Sequence, residues 1–246
     1  MPSGDTIRVG NIKFLPAGDA ALVMEFGREI SEALNARVKF MYDLLRDAPI
    51  EGVYETVPSY RSLLICYLPE KITFGELKTK LSAAAEGFFT SAANTKKRIV
   101  HIPVAYGGEF GEDIREVAAH TGLSEKEIAE IHSGREYLVY MLGFLPGFPY
   151  LGGMDKRLNT PRLKNPRTKI PQGSVGIGGE QTGIYPLASP GGWRLIGRTP
   201  VKPYDPEREN PFLYAAGDYI KFEPVTAKEY AEIEKDADYA VEISRI

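Results

Sequence analysis

Apolar positions along the first hundred residues recur with two different periods. The run LVMEF (22–26) is short, apolar and stopped by Gly27, as a strand would be. Behind Ser31, the residues Leu34, Val38, Met41, Tyr42 and Leu45 fall at helical spacing, and Ser31 is placed to cap that helix. GVYETV (52–57) and SLLICYL (62–68) predict two more strands, the second apolar enough to be covered on both faces. Thr73 and Glu76 have the spacing of a capping box ahead of a helix in FGELKTKLSAAAEGF (74–88). RIVHIPV (98–104) returns to strand. The order β-α-β-β-α-β predicts a split βαβ-type α/β sandwich, with helices on one face of a small sheet.

Beyond Val104 the rhythm changes. Asp113 to His120 predicts a short helix stopped by Gly122, and Ser124 with Glu127 opens another that ends near Gly134. From Tyr137 onward, short apolar runs alternate with Gly and Pro turns: YLVYML, SVGIG, TGIYP, WRLIGR and DYIKFEP. Such a pattern predicts a β-barrel or sandwich rather than a parallel sheet. An amphipathic helix after Thr226, AKEYAEIEKDA, closes the pattern. The polar stretch TSAANTKKR (90–98) is the expected junction, dividing the chain into domains 1–95 and 96–246 of an α+β protein.

One stretch fits neither rhythm. FLPGFPYLGG (144–153) is too apolar for an ordinary exposed loop and too rich in Pro and Gly for a helix or a central strand. It reads as a rigid apolar wall, either lining a pocket or plugging an interdomain contact.

Composition narrows the function classes. At 246 residues, 43% hydrophobic and 26% charged, the chain has globular composition. A net charge of −3 leaves the whole molecule without the electrostatic footprint of a nucleic-acid binder. The single Cys66 cannot form an internal disulfide or a Cys-based zinc site. The opening MPSGDTIRVG lacks the apolar core of a signal peptide, and no run is long enough to span a membrane. A cytoplasmic location is expected.

Charge and glycine are both concentrated in one segment. Twelve of the 25 Gly lie between Gly143 and Gly197. From Gly143 to Pro200 there are eight basic residues (Lys156, Arg157, Arg162, Lys164, Arg167, Lys169, Arg194 and Arg198) against two acids, Asp155 and Glu180. A basic, glycine-rich, aromatic-lined region points to an anionic ligand or an acidic partner, unless acids from elsewhere pair with it. The only two Gln, Gln172 and Gln181, fall in the same segment.

Standard motifs are absent from this segment. GIGGEQTG lacks the Lys and Ser/Thr of a phosphate loop, and Gln181 stands at the third glycine of a dinucleotide fingerprint. Gln172 spoils a nucleophile elbow around Ser174. His101, His120 and His132 lack metal-ligand spacing, and His120 and His132 lie near helix ends, where a capping or surface role is expected. No metal site is expected.

The run from Gly143 to Pro200, with LPAGDAALVMEFG, VPSYRSLLICY and IPVAYGGEFGEDI upstream, closely resembles the KipI/PxpB family, also called allophanate hydrolase subunit 1-like. The resemblance covers nearly the whole chain. It implies an N-terminal α/β domain followed by a cyclophilin-like β-barrel. It also implies a role as the B component of a 5-oxoprolinase, which couples ATP hydrolysis to opening 5-oxoproline into glutamate with companion subunits C and A. ATP is then expected to be bound with or by those partners, and this chain alone to be inactive. The family also includes an inhibitor of a sensor histidine kinase, so a regulatory binding protein is the alternative. The expected ligand-binding group is Arg162, Arg198, Gln181, Thr182 and Tyr185 around one pocket, with Phe148 as its apolar wall. Pro146, Arg167 and Trp193 are secondary candidates, Trp193 reading as core or as a stacking surface.

Overall fold

Alternation of buried and half-buried positions builds the first sheet in the computed structural model, which describes residues 12–87 and 97–246. Its strands are β1 (Lys13–Pro16), β2 (Ala21–Glu25), β3 (Val53–Pro58) and β4 (Ser62–Tyr67), paired antiparallel in the order β1-β2-β4-β3. Two helices, α1 (Glu32–Asp47) and α2 (Phe74–Glu86), complete the layer above it. Ser31 accepts from the Leu34 amide to cap α1, and Thr73 with Glu76 forms the capping box of α2. One apolar cluster joins Leu22, Met24, Leu63 and Ile65 of the sheet to Val38 and Met41 of α1 and to Leu77 and Leu81 of α2.

Two expectations are corrected here. β4 is buried on one face only, because both helices share a cluster with Leu63 and Ile65 while Leu64 and Cys66 stay half-exposed. The outer strand of this α/β sandwich is β1, not the RIVHIPV strand. β1 is short and largely exposed, so its pattern carried almost no signal.

The chain folds as two compact units, Met1–Thr95 and Lys96–Ile246. Most of the expected junction (90–98), namely residues 90–96, lies outside the described residues. The RIVHIPV strand is β5 (Arg98–Tyr106), the central strand of the second unit and buried along most of its length. After it come α3 (Ile114–Thr121) and α4 (Glu125–Ser133), the latter opened by the Ser124–Glu127 capping box. Then follow β6 (Glu136–Leu142), β7 (Pro149–Gly152), β8 (Arg167–Ile170), β9 (Ser174–Gly178), β10 (Gln181–Ile184), β11 (Ser189–Gly191), β12 (Arg194–Arg198) and β13 (Tyr219–Pro224). The chain continues through α5 (Ala227–Lys235) into β14 (Ile243–Arg245). The helix α5 therefore does not close the fold: β14 returns to pair with β5.

The large sheet runs β10-β9-β12-β5-β13-β6-β7. Its end strands meet, because a Cβ at Gly183 on β10 would lie 2.9 Å from the Pro149 carbonyl oxygen on β7. The sheet thus curls into a nearly closed barrel around Val100, Ile102, Tyr137, Ile177, Ile196 and Phe222. β8 and β11 form a separate two-stranded ribbon. The FLPGFPYLGG stretch splits accordingly. Its second half becomes the end strand β7, and its first half is a tight loop closed by the Gly143 amide on the Phe148 carbonyl at 3.1 Å.

Candidate functional site

The glycines of the basic segment have a packing role. In the β9–β10 hairpin Val175, Ile177 and Ile184 face the barrel core, and Gly176, Gly178 and Gly183 leave the opposite face flat. Trp193 lies on that floor: a Cβ at Gly178 would sit 2.5 Å from the indole, and Cβ atoms at Gly176 and Gly183 would sit 3.2 Å from the same residue. Phe148 meets the indole edge-on at 5.5 Å and Tyr185 at 6.3 Å. Ile170 and Leu195 complete this second apolar cluster. Its rings hold one another in T-shaped contacts, which fixes their orientation.

Beside this cluster lies a cleft of about 320 Å³. Phe144, Phe148, Tyr150, Tyr185 and Trp193 supply aromatic surface, and Arg162 is the charged side chain among its lining residues. Arg162 donates from Nη2 to Gln181 Oε1 at 3.3 Å, and its guanidinium carbon lies 5.7 Å from the Trp193 ring centroid. The Tyr185 phenol is pushed up by burial, against the opposing pull of the Trp193 backbone N–H and of nearby Arg162 and Arg167. At the rim Phe144 is 64% exposed and has a φ of 65°, the left-handed region that bulky side chains avoid.

Of the expected site residues, the structure brings Arg162, Gln181, Tyr185 and Phe148 together, with Trp193 beneath them. Thr182 points the other way, into the barrel, and is fully buried. Arg198 lies apart, its Nη2 directed at the Glu109 carbonyl oxygen at 3.5 Å. Arg167 forks onto Asp113, at 2.9 and 2.7 Å, and its Nε lies 3.1 Å from Glu112. Asp113 stands at the N-cap of α3 but caps nothing; it instead accepts from Arg167 and from the Leu195 amide at 2.7 Å, tying α3 to β8 and β12. Pro146 is exposed on the loop that carries Phe144.

His132 was expected at a helix end, near the surface. It is instead fully buried, stacked on Phe222 at 4.6 Å. Thr182 gives its hydroxyl proton to the Gly176 carbonyl at 3.0 Å, so it accepts from His132 Nε2 at 2.8 Å. The ring proton is therefore on Nε2, and Nδ1 accepts from the Tyr106 hydroxyl at 2.8 Å. Burial lowers the His132 pKa to about 3, so the ring is neutral. The available signal was spacing: Ile128 and His132 lie four apart on the buried stripe of α4.

Among the described residues no group of three His, Cys, Asp or Glu could hold a metal ion, and no helix is long and apolar enough to cross a membrane.

The model of the carboxyltransferase domain, subdomain C and D, matches residues 12–214. The chain belongs to this carboxyltransferase C and D family. Within the family, it is 42% identical over 235 residues to the B subunit of 5-oxoprolinase from Bacillus subtilis, spanning 90% of this chain and 96% of that one. Against the corresponding 5-oxoprolinase B subunit of Escherichia coli O157:H7 it is 43% identical over 208 residues, covering 84% and 93%. The solved structure of TTHA0988 superposes on 84% of the chain with a TM-score of 0.76 at 40% identity. This chain spans 40% of TTHA0988. The expected resemblance to the KipI/PxpB type stands on these relatives.

Proposed function

We propose that this chain is the B subunit of an ATP-dependent 5-oxoprolinase, acting in the cytoplasm with companion A and C subunits to open 5-oxo-L-proline to L-glutamate. The observation that carries the reading is the match to the Bacillus subtilis protein along nearly its whole length. The aromatic cleft with Arg162, Gln181, Tyr185 and Phe148 is its contribution to the shared site, by binding and orienting an acid.

The residues at hand do not fit a triphosphate. The glycine-rich hairpin that could cradle phosphates is occupied by Trp193, and Arg162 is the single cation among the residues lining the cleft. ATP belongs, in this reading, to the partner subunits. His132 is neutral and both its ring nitrogens are bonded inside the barrel, so it is not a base for the cleft.

Reconstitution tests the assignment. The A and C subunits from the same source, mixed with this chain and ATP, should convert 5-oxo-L-proline to glutamate, and omitting this chain should abolish conversion. Undiminished conversion by A and C alone would rule out the role.

A further inference from the structure

We infer that the cleft beside Trp193 is a receptor for the carboxylate of one small, flat acid, and that it is complete within this chain. Three observations converge on it: an Arg with no acid partner among the described residues, a rigid aromatic surround, and a conformationally costly residue at the rim.

Arg162 differs from the other arginines of its segment in lining the cleft with no acid partner among the described residues. Arg157 pairs with Asp155, Arg167 with Asp113 and Glu112, Arg194 with Glu116, and Arg198 leans on a carbonyl. The contacts of Arg162 are instead Gln181 and the face of Trp193, neither of which carries a negative charge. Those two contacts hold the guanidinium while leaving donors of its fork for a ligand. A planar fork of this kind matches a carboxylate with two parallel hydrogen bonds.

The surround selects size and shape. Phe148, Tyr185 and Trp193 are 2%, 2% and 6% exposed, so the inner wall is set before any ligand arrives. At Gly191 a Cβ would sit 2.5 Å from the Tyr185 hydroxyl oxygen, so backbone and ring already touch there. The volume, about 320 Å³, suits a small molecule. Phe144 adds apolar surface at the mouth in a backbone conformation that costs stability, and such strain collects at binding sites. A lone cation within aromatic walls suits a monoanion. A phosphate, with about −1.5 to −2 charges and three acceptor oxygens, would leave most of its acceptors unmet.

The choice of ligand rests on the oxoprolinase reading: 5-oxo-L-proline is a flat lactam ring bearing one carboxylate. The experiment uses the full chain alone. Trp193 is its one tryptophan and lines the cleft, so intrinsic fluorescence reports occupancy directly. Titration with 5-oxo-L-proline should give a saturable change, matched by heat in calorimetry, whereas 5-oxo-L-prolinamide and inorganic phosphate should give none. Arg162→Met should weaken the acid at least about tenfold. Because Arg162 is exposed, the variant should melt where the parent does. Absence of saturable fluorescence and heat with the acid overturns the inference. So does equal binding of the amide or of phosphate, or unchanged affinity in Arg162→Met. Should the chain bind the acid while A and C turn it over equally well without it, the oxoprolinase assignment fails and the receptor stands. Loss of binding in a chain the complex still requires fails the receptor alone.

Discussion

His132 is a titratable ring buried among uncharged neighbours, as far as the described residues go. Tyr106, Tyr137, Thr182 and Phe222 surround it, and both ring nitrogens already have partners. Its pKa falls from 6.5 to about 3 through burial. Between those values the unfolded chain takes up a proton that the folded chain refuses, so folding weakens as pH falls. The sign follows from linkage: the contribution is fully present above pH 6.5 and is lost progressively down to about pH 3. The slope is about 1.4 kcal/mol per pH unit at most. Denaturant midpoints at pH 7, 6, 5 and 4 should fall more steeply for the parent than for His132→Gln, although the variant starts lower because it loses part of the hydrogen-bonded chain. Parallel slopes would show that the pH dependence arises elsewhere, in the carboxylates. The sequence signal for this residue was weak because periodicity gives the face of α4 but not what the barrel sets against it.

At the scale of elements, the division between what was legible and what was not follows the range of the interactions. The capping residues Ser31, Thr73 with Glu76, and Ser124 with Glu127 act within one turn, and each lies where local spacing put it. The αL cap at Gly122, with φ of 76°, is local in the same way. Strand partners are not local: β5 pairs in parallel with β13, across more than half of its own unit, and nothing in RIVHIPV announces that. The glycines of β9 and β10 mislead for the same reason. Their count was part of what pointed to an anionic ligand or an acidic partner, whereas their Cβ positions are filled by an indole from β12's leading edge. Gly178→Ala tests that seat. Its methyl group would fall 2.5 Å from Trp193, so the ring must tilt or the strands must part, at a cost of about 1–3 kcal/mol. A lowered melting point with red-shifted Trp193 emission is expected. An unchanged spectrum and melting point would mean the indole does not rest on β9.

For the molecule as a whole, ion pairing decides how much of the basic segment's charge remains available. Glu112, Asp113 and Glu116, all from outside the segment, neutralise Arg167 and Arg194 and so halve its apparent surplus. Acids from elsewhere thus pair with those two arginines, and Arg162 is the cation that lines the cleft. The proposed acid site is poorly equipped to transform what it holds. The lining residues include no nucleophile beside a base, and the buried His132 imidazole is turned into the barrel. Opening a lactam requires an activated carbonyl and a nucleophile, and driving it with ATP requires a phosphate cradle that the Trp193-filled hairpin does not offer. On the proposed reading, Arg162 holds the acid within this chain and the reacting groups come from partner subunits. The expectation is that the purified chain alone neither hydrolyses ATP nor forms glutamate, while the reconstituted complex does both. Arg162→Met in that complex should lower kcat/KM roughly tenfold or more, chiefly through KM if the carboxylate contact is made equally before and during reaction. Turnover by the single chain, freed of contaminating activity, would overturn this division of labour, because the catalytic groups would then have to lie within the chain itself.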